Sequence, residues 1–298
     1  MLKTLSLSSM ALLVGGCAAK TVTPEATPAA ADAAEAATDA TEAADDTATA
    51  ADETATAADE TAYTHAADIK WMAIYPEMEN SPKMAVLTGN PKEGAFSAMV
   101  MLPAGYESKL RYHSATVQGV MVAGTLKNGR TAEEAVEINA GDMWTQPGGE
   151  THFTGCTADA DCIFVGRMDG AMGPVETEDP AEASTQTIVA KADIDLQPLN
   201  PEQPEGPRIK VLTGDMQSGP WSGIALLPGG QASGKRTHGS SYGAAVVSGT
   251  AFGDEVEFGA GSIWREKAGS VHATGCASED DCVFFISMDG PLKITPVE

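Results

Sequence analysis

Basic residues are scarce in this chain. Across 298 residues, 18 Lys and Arg stand against 42 Asp and Glu, a formal net charge of −24. That balance repels polyanions, so it argues against nucleic-acid binding and against a basic face that would dock on a membrane. Aromatic residues amount to 5 % of the chain. They are missing altogether from residues 21–62, a stretch almost entirely of Ala, Thr, Glu, Asp and Pro with eleven acidic residues and no basic one. Such a segment cannot bury a core and reads as a disordered acidic tether, taken here as 18–65. The only long apolar run, around Leu5 to Val14, is too short to span a bilayer as a helix. Amphipathic helical periodicity is also lacking in the remainder, which excludes a helical bundle.

What stands at the N-terminus reads as an export signal: Lys3, the apolar run, then Val14-Gly-Gly-Cys17. These last residues resemble a bacterial lipobox, in which the cysteine is lipidated and becomes the mature N-terminus. Ordinary secretion with cleavage near Ala19 is the competing reading. Ala18 behind a lipidated Cys17 resembles lipoproteins sorted to the outer membrane. The expectation is an envelope protein that faces the periplasm and touches the membrane through its lipid alone.

The folded part is written twice. Met84-Ala-Val-Leu-Thr-Gly89 returns as Ile209-Lys-Val-Leu-Thr-Gly214, Thr154-Gly-Cys156 as Thr274-Gly-Cys276, and Met168-Asp-Gly170 as Met288-Asp-Gly290. A repeat of about 120 residues is a domain-sized unit rather than a solenoid turn. Two domains are expected, 66–175 and 193–298, joined by a polar connector, 176–192. The five cysteines divide into Cys17 for the lipid and two pairs, Cys156 with Cys162 and Cys276 with Cys282. Each pair brackets a five-residue acidic turn between two β-like runs, so a disulfide across the base of a hairpin is expected. A five-residue gap does not match the usual zinc spacing. The acidic turns could also suggest calcium, but solvated hairpin tips are the simpler reading.

Within each copy the apolar period is two. Phe96–Leu102 and Trp221–Leu227 are corresponding strands ending at Pro-x-Gly, and Val117–Ala123 and Tyr242–Ser248 follow, closed by Gly124 and Gly249. Many short strands with Gly and Pro turns indicate an all-β sandwich or barrel. Gly141-Asp-Met-Trp-Thr-Gln-Pro-Gly-Gly-Glu-Thr-His152 then reads G-x5-P-x-G-x2-H, which resembles the second signature of the cupin superfamily. The second copy gives Gly261 through His272, departing only at Lys267 in the Pro position. The frame of the first signature is kept by Gly105, Arg111, His113 and Gly124, and again by Gly230, Arg236, His238 and Gly249. Two of its positions depart from the family: Arg replaces the first histidine, and Val117 or Tyr242 the glutamate. Gln118 lies one residue on, with the wrong strand parity for the interior. The resemblance implies two tandem cupin jelly-roll barrels, similar to cupins of the anti-sigma-factor type and their relatives.

Typical cupins hold a divalent metal such as Zn, Fe or Mn with three histidines and a glutamate. By that resemblance the candidate ligands here are His113 and His152 in the first copy and His238 and His272 in the second. Arg111 and Arg236 share their faces, and a guanidinium neither ligates a metal nor favours one nearby. The same residues would equally suit a small anion. Trp144 and Trp264 read as core or as an aromatic wall, Tyr242 as a hydroxyl donor or a packed side chain, and His65 is given no role. Three readings follow: a lipid-anchored binding module for a small molecule, anionic by this reasoning, or for a metal ion; a metal-dependent cupin oxygenase or isomerase; and a non-catalytic envelope interaction protein. The reduced ligand set favours the first, and no catalytic residue can be assigned.

Overall fold

The computed structural model describes residues 62–254 and 256–297. The export signal, Cys17 and the tether up to residue 61 lie outside the described residues. Those described are β-strand and turn, apart from two 3-10 turns, Ala66–Asp68 and Lys191–Asp193. The strands fall where the two-residue period places them: Lys83–Gly89, Phe96–Leu102 and Val117–Ala123 in the first half, Arg208–Gly214, Trp221–Leu227 and Tyr242–Ser248 in the second.

Two seven-stranded antiparallel sheets result, with the same order in each half. In the first, Thr187–Val189, Met143–Gln146, Val117–Ala123, Cys162–Met168, Phe96–Leu102, Lys83–Gly89 and Met72–Ala73 lie side by side. In the second the order is Ala62–Thr64, Ile263–Glu266, Tyr242–Ser248, Cys282–Met288, Trp221–Leu227, Arg208–Gly214 and Gln197–Pro198. Each half adds a three-stranded sheet and a two-stranded ribbon. Strand alternation then sorts the side chains. Phe96, Ala98 and Leu102 face the interior of the first half, while Met99 on the same strand joins a core shared with the second. That shared core contains Leu87, Val120 and Val165 from one half and Ile224, Val247 and Phe285 from the other, all buried. Polar contacts cross it as well: the Ser97 hydroxyl donates to Ser287 Oγ over 2.8 Å, and Arg167 Nη1 donates to the same oxygen over 3.2 Å. The larger sheets thus back onto each other, and each half keeps a separate interior.

The segment in front of each half adds a strand to the other half's sheet. Ala62–Thr64 pairs with Ile263–Glu266, and Thr187–Val189 with Met143–Gln146. The sequence reading leaves 62–64 in the tether and 187–189 in the connector; backbone pairing makes both segments part of the fold. Tyr63 sits 5.3 Å from the Phe258 ring and above Gly253, where an added Cβ would come within 2.5 Å of its ring. Its hydroxyl lies 3.1 Å from both Glu266 Oε1 and Asp254 Oδ2.

Both disulfides are present, Cys156–Cys162 and Cys276–Cys282, with Cα atoms 5.8 and 5.6 Å apart. They do not close a hairpin between paired strands, as the sequence suggests. Phe153–Cys156 pairs with Thr125–Gly129 in the small sheet, whereas Cys162–Met168 pairs within the large one. Each bridge therefore staples one layer of its half to the other. The acidic tips have a structural role: Asp161 Oδ1 accepts from the Ala104 N–H over 2.9 Å, and Asp281 Oδ1 from the Gly229 N–H over 3.1 Å, tying each tip to its Pro-x-Gly turn. Thiol titration of denatured, non-reduced protein is expected to find none of these four cysteines free. Replacing one pair by alanine should cost about 2 kcal/mol in urea unfolding; titratable Cys156 or Cys282 would contradict both expectations.

Candidate functional site

The site is built by backbone pairing before any side chain is considered. The Arg111 N–H donates to the His152 carbonyl over 3.1 Å, and the His152 N–H donates to the Arg111 carbonyl over 2.8 Å; Arg236 and His272 repeat this at 3.0 and 3.0 Å. Residues opposed in such an antiparallel bridge present their side chains on the same face, and His113 or His238, two residues further on, shares it. The second signature sets the other wall. The Gly149 N–H donates to the His113 carbonyl over 2.7 Å, and Gly269 to that of His238 over 2.9 Å, with φ of +79° and +83° that only glycine adopts without strain. Lys267 does not disturb the turn, since Ser270 N–H reaches its carbonyl over 3.1 Å as Glu150 N–H reaches that of Pro147 over 3.4 Å.

In the first half these residues line an interior cavity of about 120 Å³. The His113 and His152 rings lie 5.5 Å apart. His152 Nδ1 is 3.0 Å from the Glu150 carbonyl. A carbonyl only accepts, so Nδ1 carries the proton and Nε2 keeps a lone pair. Arg111 Nε and His113 Nδ1 are buried without a hydrogen-bond partner. Burial, reinforced by the Arg111 charge and by His152, lowers the His113 pKa to about 3. Burial and Arg111 lower that of His152 to about 4, against the opposing pull of the Glu150 carbonyl. Both rings are neutral at physiological pH, and Arg111 supplies the fixed cation among these three. Sequence reasoning misses Asn128, Gln146 and Arg167, which also line this cavity. Gln146 could have been found from its place just before Pro147. Gln118 stays on the face of Val120, and Val117 takes the interior position.

The second half repeats the backbone with different chemistry. Its cavity is larger, about 230 Å³, and Arg236, His238 and Tyr242 line it. His272 is buried behind them, with its ring stacked 5.0 Å from that of His238. Here both imidazoles are engaged. Arg236 Nε donates to His238 Nε2 over 3.3 Å, and its remaining nitrogens reach Ser233, Gly234 and Thr274. Trp264 Nε1 donates to the Tyr242 hydroxyl over 3.4 Å, and that hydroxyl lies 3.3 Å from His272 Nε2. With His272 Nδ1 held 3.2 Å from the Ser270 carbonyl, the hydroxyl must be the donor to Nε2. Trp144 and Trp264 are both core and cavity wall: each is buried, in edge contact with Phe164 or Phe284, and each lines a cavity.

A cupin metal does not fit this donor set. In the second half the Nε2 atoms of both histidines accept from protein donors. In the first half two imidazoles share the wall with a guanidinium, and the other polar side chains there, Asn128, Gln146 and Thr154, are neutral and weak ligands beside His or a carboxylate. No cluster of three or more His, Cys, Asp or Glu capable of holding a metal ion occurs among the described residues.

The lowered histidine pKa values make stability depend on pH. Burial disfavours the imidazolium in the folded chain, so as pH falls below the ordinary value of 6.5 the unfolded chain takes up protons first. The stability these groups contribute is full above 6.5 and drains towards about 4 for His152 and about 3 for His113 and His238. Urea midpoints are expected to fall progressively between pH 6.5 and 5, above the range where carboxylates titrate; a flat profile there would contradict the buried neutral histidines.

Residues 62–295 match a family model described as a domain of unknown function, DUF4437. No curated protein matches the chain. Similar solved structures include a candidate dioxygenase from Nostoc punctiforme (TM-score 0.59, 10 % identity, 80 % of this chain and 87 % of that one). A candidate glyoxylate-induced protein from Pseudomonas aeruginosa has a TM-score of 0.54 at 16 % identity, covering 80 % and 92 %. The oxalate decarboxylase of Lactobacillus farciminis, in its formate complex, has 0.50 at 13 %, covering 82 % and 90 %. At such identities the likeness is one of fold, and that fold is the cupin fold. The chain, an all-β protein of this architecture, belongs to the DUF4437 family.

Proposed function

We propose that the chain is a binding module whose first half captures a small carboxylate beside Arg111. The observation that carries this reading is the unmatched guanidinium: Arg111 Nε is buried with no hydrogen-bond partner, and no carboxylate forms an ion pair with Arg111 among the described residues. A charge-assisted pair with a ligand carboxylate supplies what the protein itself does not. The His152 Nε2 lone pair suits a hydroxyl on the same ligand, and a cavity of about 120 Å³ limits the ligand to a few heavy atoms. In this reading Cys17 carries the lipid, the acidic segment spaces the protein from an outer membrane, and two tandem cupin barrels face the periplasm. The lipobox-like N-terminus and the two disulfides support that placement. A metal-dependent oxygenase or isomerase is the competing reading. Enzymes among the fold neighbours suggest it, but the donor set described above counts against it.

Thermal melts with glycolate, lactate and oxalate test the proposal. At least one should raise the melting temperature of the chain, and Arg111→Gln should weaken that binding by about tenfold or more, the scale expected for losing charged hydrogen bonds. Trp221→Phe, in the other half, should leave it intact. Equal stabilisation of the wild type and Arg111→Gln would overturn the assignment.

A further inference from the structure

The second half's cavity is built for a different occupant. Its volume is about 230 Å³, and Leu199, Phe252, Phe258, Phe284 and Ile286 are typical of its lining. Several polar side chains break this apolar wall, and two of their buried donors have no partner: Trp221 Nε1, on a side chain 1 % exposed, and His238 Nδ1, on one 8 % exposed. The His238 tautomer is fixed, because Arg236 Nε donates to its Nε2 and so leaves the proton on Nδ1. A buried N–H without an acceptor is costly, and it is rare in a finished protein interior.

The two donors belong to the same end of the barrel. Met288 pairs with Trp221 on one side and with Tyr242 on the other, and the Tyr242 ring packs edge-on 5.1 Å from that of His238. Arg236 adds its charge at this end. Its nitrogens are occupied by Ser233, Gly234, Thr274 and His238; Glu266 and Asp254 act on its charge, though neither reaches it as an ion pair. The first half cannot offer the same pattern. Phe96 occupies the position of Trp221 and has no N–H, and Val117 that of Tyr242.

We infer that this cavity is a second, separate ligand site that takes an apolar molecule bearing one carboxylate, a medium-chain aliphatic or an aromatic acid. The carboxylate oxygens accept from Trp221 Nε1 and His238 Nδ1 and lie in the field of Arg236, while the apolar body fills the remainder. The roles of Tyr242 and His272 then differ from those that the cupin resemblance implies. They hold the wall through the Trp264–Tyr242–His272 chain of hydrogen bonds and give the carboxylate no hydrogen bond.

Titration calorimetry on the full chain with octanoate and benzoate tests the inference, with methyl benzoate as the neutral counterpart. One equivalent of at least one acid should bind, with a change in tryptophan fluorescence and weaker binding of the ester. Trp221→Phe should reduce affinity by about tenfold or more, and Arg111→Gln should leave it unchanged, which separates this site from the one in the first half. His238→Leu provides the same reading if Trp221→Phe does not fold. Failure of both acids to bind, ester binding as tight as the acid, or full affinity in the folded variants would each overturn the inference.

Discussion

In each half, two backbone hydrogen bonds join an arginine to the histidine directly opposite it, Arg111 to His152 and Arg236 to His272. The pairing is short and isolated from the large sheets, yet it decides what the interior can be. It brings the two cupin-like signatures together, fixes both side chains on the inner face, and places a permanent cation among the imidazoles. Desolvation and that cation together keep His113, His152 and His238 neutral. An interior that pairs neutral imidazoles with an arginine is suited to attract anions rather than to coordinate a metal.

Duplication gives the protein two versions of this arrangement on a common support. The backs of the large sheets form one shared core, and the leading segments Ala62–Thr64 and Thr187–Val189 are exchanged between the halves. Part of the stability therefore rests on a core outside the cavities, and each interior has its own composition. Val117 against Tyr242, Phe96 against Trp221 and Gln146 against Glu266 are differences at matching positions. Their sum is a small, partly polar cavity with an unpaired guanidinium on one side. On the other is a larger apolar cavity with a hydrogen-bonded guanidinium and two unpaired donors.

Much of this was legible in the chain. Period-two alternation gave the bounds of Phe96–Leu102 and Val117–Ala123, because one face of each strand meets the interior and the other the shared core. Cysteine spacing gave the disulfides but not the sheets they join, since a turn between two strands reads the same whether or not the strands pair. The exchanged strands were hidden by their length and by polar surroundings. Extending the repeat backwards from Asp68-Ile69 and Asp193-Ile194 would have set Tyr63 against Ile188 and exposed both. The convergence of arginine and histidine followed from the motif frame. The division of labour between the halves did not, because it depends on which lone pairs are already taken: Arg236 bonds to His238, whereas Arg111 Nε has no partner.

An interior that carries an arginine beside its histidines should not retain a divalent metal. Elemental mass spectrometry of the chain, loaded with Mn(II), Fe(II) or Zn(II) and then desalted, tests it most directly. Metal is expected well below one equivalent, with no difference between the wild type and a His113→Ala/His152→Ala variant. Near-stoichiometric metal that is lost in that variant, or in His238→Ala/His272→Ala, would contradict it.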